Sequence, residues 1–177
     1  MTLPSIQSWS AREIVTGAKL NNQIRDVNRF LTSPPYAVCR RNSTLSITGG
    51  TIAKFPWNSA STRGITANGS GSNIASLTIQ QKGLYYVNCA VGAQPNVNVS
   101  HFMIDICVNG SAQLRGICTA EDASYQDTAF ASGLLLLNAG DIVSTEVYVS
   151  ASRTADFASG TWQQDTCVLS LNWTGRF

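Results

Sequence analysis

Histidine is nearly absent: His101 is the only one in 177 residues. Charge is scarce too, at 12% against the roughly 25% of an ordinary globular domain. Acid–base and metal chemistry draw on those side chains, so an enzyme is the least expected class. No G-x-S-x-G elbow surrounds a serine. Gly69-Ser70-Gly71 is followed by neither the lysine nor the helix of a phosphate loop. Carboxylates cluster only at Glu121, Asp122 and Asp127. That loop lacks the alternating ligands and the bend-forming glycine of a calcium site. A solvated loop is expected there, with calcium as the weaker alternative, and no metal or cofactor is assigned. His101 reads as a polar residue at a strand end or an interface.

Close cysteine pairs are also missing. Cys39, Cys89, Cys107, Cys118 and Cys167 are odd in number and contain no C-x-x-C. Zinc sites want close pairs and secreted disulfide scaffolds want an even count. The reading is buried free thiols in a reducing cytosol. No apolar run approaches the ~20 residues that span a bilayer. The opening Met1-Thr2-Leu3-Pro4-Ser5-Ile6 has neither the basic start nor the apolar core of a secretory signal, so none is expected.

What is present is apolar and β-like. Hydrophobic residues make up 44% of the chain. With so little charge, that suits a β protein that buries surface against copies of itself. The chain is organised around Leu134-Leu135-Leu136-Leu137-Asn138-Ala139-Gly140-Asp141-Ile142-Val143. A half-buried strand alternates apolar and polar residues; four leucines in a row imply cover on both faces. The opposing sheet would supply one cover and a neighbouring subunit the other.

Residues 1–35 read as an appendage. An extended arm carries Trp9. A helix is expected from about Thr16 to Thr32, ended by Pro34-Pro35. Leu20, Ile24, Val27 and Leu31, spaced four, three and four, form an a/d seam. Two heptads are marginal alone, so the helix must pack either on its own domain or on partners. Six of the chain's basic residues lie within residues 1–41, among them Arg12, Lys19, Arg25 and Arg29, against two acidic ones. This basic front end suits docking on an acidic partner, but it is too weakly charged to argue for nucleic acid. No membrane partner is expected.

Residues 36–177 read as strand and turn, with eight to ten strands near ten residues apart. Residues 58–73 look like a long polar loop. Residues 77–79 and 84–91 look like a hairpin, as do residues 130–137 and 142–149 across Asn138-Ala139-Gly140-Asp141. Asn109-Gly110 marks a further hairpin. The sum is a β-sandwich or jelly roll.

Lys82-Gly83-Leu84-Tyr85-Tyr86-Val87 resembles the G-x-Y strand of the C1q/TNF-like jelly roll. Ile104-Asp105-Ile106-Cys107-Val108-Asn109-Gly110 resembles that fold's strand ending in Asn-Gly. The four leucines with Ala139-Gly140-Asp141-Ile142-Val143 are similar to its A-G-D-x-V segment, and Phe157 with the strand from Cys167 to Trp173 fits its close. The agreement runs over about residues 45–175. The front end resembles small virion proteins of tailed phages, especially those of actinobacterial hosts. It carries Trp9, then Ile14-Val15-Thr16-Gly17-Ala18-Lys19-Leu20-Asn21, Arg25-Asp26 and Pro34-Pro35. Gly17 replaces that pattern's alanine.

The resemblance implies a mainly β chain: a C1q/TNF-like jelly-roll β-sandwich (36–177) preceded by an N-terminal arm and a single anchoring or trimerising α-helix (1–35). It implies a non-enzymatic homotrimer in a tailed-phage virion, assembled in the host cytoplasm and displayed on the particle surface. Leu20, Ile24, Val27 and Leu31 would trimerise or anchor; Trp9, Arg12, Lys19, Arg25 and Arg29 would dock on the virion. Leu135, Leu137 and Tyr85 are assigned to the trimer core. Trp57, Tyr125, Phe157 and Trp162 are candidate loop residues for a host cell-surface glycan, or else core or trimer contacts. A minor tail or fibre role is preferred. A capsid decoration (head-fibre) protein on the major capsid protein is the alternative, and a secreted C1q-like ligand or lectin the remoter one.

Overall fold

A computed structural model describes residues 16–95, 101–119, 127–150, 154–157 and 167–175. Helix α1 (Gly17–Thr32) is followed by β1 (Tyr36–Arg40), β2 (Leu45–Thr48), β3 (Ile52–Lys54), β4 (Ser59–Arg63), β5 (Ile65–Ser70) and β6 (Asn73–Ile79). Then come β7 (Gly83–Pro95), β8 (Phe102–Val108), β9 (Ser111–Cys118), β10 (Asp127–Leu137), β11 (Ile142–Val149), β12 (Thr154–Phe157) and β13 (Val168–Gly175).

The strands form two antiparallel sheets. In the first, the long β7 pairs with β10 along one edge and with β13 and then β12 along the other; β1 and β4 continue beyond β13, and β2 beyond β12. The second runs β5-β6-β11-β8-β9, with β3 also on β11. Alternation explains the layering. Tyr85, Val87, Cys89, Val91 and Ala93 on β7 face Ile104, Ile106, Val143, Val147 and Val149 of the other sheet across one continuous core. The two sheets pack closely where β9 meets β10 at Gly116. A Cβ on Gly116 would lie 2.0 Å from the Phe130 carbonyl oxygen, so that position admits only glycine.

The Asn109-Gly110 hairpin forms as its sequence requires, with both residues at positive φ (52° and 81°) joining β8 to β9. Three expectations are corrected. Residues 58–73 are not a loop: they hold β4, β5 and the start of β6, turning at Gly64 from the first sheet into the second. They look loop-like because β4 and β5 lie at sheet edges, where polar side chains meet water. The strands β6 and β7 are not a hairpin, since they belong to different sheets. The Asn138–Asp141 turn likewise joins β10 of one sheet to β11 of the other. Turn chemistry reports that the chain reverses; it does not report which sheet receives the next strand.

Candidate assembly surface

The four leucines sit on β10 against β7, with Leu134 opposite Tyr86, Leu135 opposite Tyr85 and Leu136 opposite Leu84. Strand alternation sends these pairs to opposite faces. Leu137 and Tyr85 are buried in the sandwich core, and Leu135 packs against that core. Tyr85 donates its hydroxyl to the Gln81 carbonyl at 2.7 Å, and burial pushes its pKa up to about 12. These three residues stabilise the subunit itself, which corrects their assignment to a trimer core.

The outward face is the other one. There Phe130, Leu134 and Leu136 are 64%, 58% and 54% exposed, and Tyr86 is 44% exposed. The row continues from Tyr86 to Asn172, Tyr36 and Arg63 across β13, β1 and β4. Large apolar side chains clustered on an otherwise complete sheet mark a surface built for contact. The sequence did carry a signal for this parity. Asn88 shares the face of Tyr86, while Val87, Cys89 and Val91 share that of Tyr85, so the all-apolar parity is the core.

Helix α1 carries a second apolar surface. Leu20, Ile24, Val27 and Leu31 are all exposed in the isolated chain, as is Arg25. Thr16 accepts the Leu20 amide at 3.1 Å, opening the helix. The helix joins the sandwich through Pro35, whose carbonyl accepts the Trp173 amide at 3.0 Å. The structure describes the backbone of Lys19 and Arg29 as helical. Trp9 and Arg12 lie outside the described residues.

Of the four loop aromatics, the structure describes Trp57 and Phe157. Trp57 is buried, donates its indole N–H to Thr145 Oγ1 at 3.1 Å and stacks edge-on against Phe55, with ring centroids 5.0 Å apart. It is a core residue, which corrects its place among the ligand loops. Phe157 lies in β12, opposite Leu45 and Ala93, rather than in a loop. Tyr125 and Trp162, like Glu121 and Asp122, lie outside the described residues. Among the described residues, no group of three His, Cys, Asp or Glu side chains comes together to hold a metal.

All five cysteines are free thiols. Burial pushes the Cys39 pKa up to about 12 and that of Cys89 well above its usual range, so neither is a ready nucleophile. Nearby, Arg41 is buried, donates to the Pro56 carbonyl at 2.8 Å and the Thr44 carbonyl at 3.2 Å, and lies over the Phe55 ring. It ties the end of β1 to the segments around β2 and β3, a structural role that the sequence alone did not disclose.

No family model and no curated protein matches the sequence. Solved structures do match by shape. Murine APRIL at pH 5.0 superposes with a TM-score of 0.57 at 12% identity, covering 79% of this chain and 98% of that one. Eiger TNF from S. frugiperda gives 0.57 at 13%, covering 80% and 93%. The globular domain of zebrafish complement 1qA protein gives 0.55 at 14%, covering 81% and 99%. At such identities the likeness concerns the fold, and the sandwich described above is a TNF/C1q-like jelly roll.

Proposed function

We propose that the protein is a homotrimeric structural component of a tailed-phage virion, a minor tail or fibre-type protein without catalytic activity. The observation that carries the reading is the pair of uncovered apolar surfaces, the α1 seam and the outward face of β7 and β10. Two heptads leave a helix marginal in water unless it meets partners. Three copies of the seam around one axis would bury it, and the same axis would let the jelly rolls cover Tyr86, Phe130, Leu134 and Leu136. The phage assignment rests on the sequence pattern of the front end, from Trp9 to the proline pair.

In this reading residues 1–35 anchor the trimer through an acidic surface of another virion protein, and the jelly roll projects to meet a host-surface glycan. Sedimentation equilibrium of the purified chain tests the assembly, with three copies per particle expected and a monomer at micromolar concentration refuting it. Immunogold against residues 36–177 on phage particles tests the place. Gold at the tail tip fits the preferred role. Gold over the heads would make the protein a capsid decoration, and bare particles would end the phage reading.

A further inference from the structure

The outer face of the second sheet carries a two-row array across four strands. One row runs Lys54, Glu146, Asp105 and Arg115 over β3, β11, β8 and β9; the adjacent row runs Ile52, Tyr148, Met103 and Ile117. Asp105 is buried and takes both bonds of the Arg115 fork, Nε to Oδ1 and Nη2 to Oδ2, each at 2.7 Å. Glu146 stands directly opposite Asp105. Like charges so placed destabilise a sheet, and the single guanidinium is already committed to Asp105. Lys54 is in register with Glu146, yet the two form no ion pair; Arg115–Asp105 is the one found among the described residues.

Cys107 follows Asp105 by two residues on the same face of β8, and its thiol is buried. Burial first, then the charges of Glu146 and Asp105, push that thiol up to about 11. A cavity of about 420 Å³ opens here, walled by Ile52, Met103, Tyr148 and Glu146, with the Arg115–Asp105 pair also on its lining. Its volume is in the range of small-ligand sites. Ile52 and Ile117, at the ends of the apolar row, are 64% and 61% exposed. The Tyr148 ring lies 6.2 Å from that of His101, a contact that backs one wall.

We propose that this cavity is a binding site for an organic cation, an ammonium or guanidinium on a short aliphatic stem. The charged head meets the Glu146 carboxylate and the Tyr148 ring face, and the stem lies over Met103 and Ile52. The arrangement supplies what such a ligand needs: a carboxylate with no cationic partner among the described residues, an aromatic face for cation–π contact, and an apolar wall for the methylenes. The cation could be a free amine or the basic side chain of a partner protein; both present the same chemistry. The site lies on the sheet opposite the proposed trimer face and does not depend on that assembly.

Isothermal titration of the full chain with agmatine, and separately with a capped arginine tripeptide, tests this. At least one probe is expected to saturate at one per chain and to bind about tenfold or more weakly to Glu146→Gln, as loss of a charge-assisted bond implies. Agmatine binding without peptide binding assigns the site to a free amine; tighter peptide binding assigns it to a partner's side chain. Tyr148→Leu should weaken the same probe. Removing one of two facing carboxylates should leave the thermal midpoint of Glu146→Gln equal to or above that of the parent. Failure of both probes to saturate, undiminished binding by Glu146→Gln, or unfolding of that variant would each overturn the proposal.

Discussion

Trp57 and Thr145, 88 residues apart, are joined in the core by a relay. The indole N–H reaches Thr145 Oγ1 at 3.1 Å, and the threonine hydroxyl reaches the Phe55 carbonyl at 3.1 Å. The bond ties the segment before β4 to the middle of β11. Valine at position 145 would keep the shape and remove both bonds. The buried Trp57 N–H would then lose its acceptor, at about 1–3 kcal/mol. Urea unfolding of Thr145→Val should show that loss as a lower midpoint with an unchanged slope.

The two faces of β10 should answer differently to mutation. Leu137→Ala leaves a core cavity and should cost about 2–5 kcal/mol in the stability of the subunit. Leu134→Lys combined with Leu136→Lys changes only exposed side chains. It should give a folded chain, with an unchanged far-ultraviolet spectrum, that sediments as a monomer. A double variant that remains trimeric would remove this face from the interface.

Asp141 should make stability fall in acid. Its Oδ2 accepts the Asn138 amide at 2.7 Å and its Oδ1 the Asn109 side chain at 2.9 Å, while Asn109 accepts the Ile142 amide at 2.9 Å. The backbone bond first, and the Asn109 bond second, hold its pKa below the ordinary 3.8. A carboxylate so depressed stabilises the fold fully above its unfolded value. That contribution is lost as pH falls from about 3.8 through the lower folded value. Thermal melts of Asp141→Asn should be less stable than the parent at pH 6, with the gap closing toward pH 2.

Thiol labelling should be selective. Cys39, Cys89, Cys107 and Cys167 are buried, and Cys118 is only partly covered. Mass spectrometry after brief alkylation of native protein should find Cys118 modified first, with the other four reacting only in denaturant. Rapid native labelling of Cys89 would contradict the packing of β7.

The local code was legible where the determining contacts are close in sequence. The Asn109-Gly110 turn and the alternating core strands follow from backbone stereochemistry and periodicity. Eight to ten short strands near ten residues apart pointed to a β-sandwich or jelly roll, and four short motifs in order pointed to its C1q/TNF-like type. In each case neighbours along the chain set the outcome.

Facing was decided by tertiary structure. Leu134 and Leu135 are chemically identical, yet one is exposed and the other packs against the core, because β10 pairs in a particular register with β7. Trp57 stands at the start of a polar stretch and looks like a surface aromatic until β11 brings Thr145 to its indole. Glu146 and Asp105 are 41 residues apart and become a like-charge pair only when β11 lies beside β8. Composition and periodicity determined that this chain would form strands and a helix. On β7 the apolar parity of Val87, Cys89 and Val91 already marked the core side; on β10, where four leucines leave no parity, which side meets the core and which is left for another molecule was decided by pairing with a segment far away in the chain.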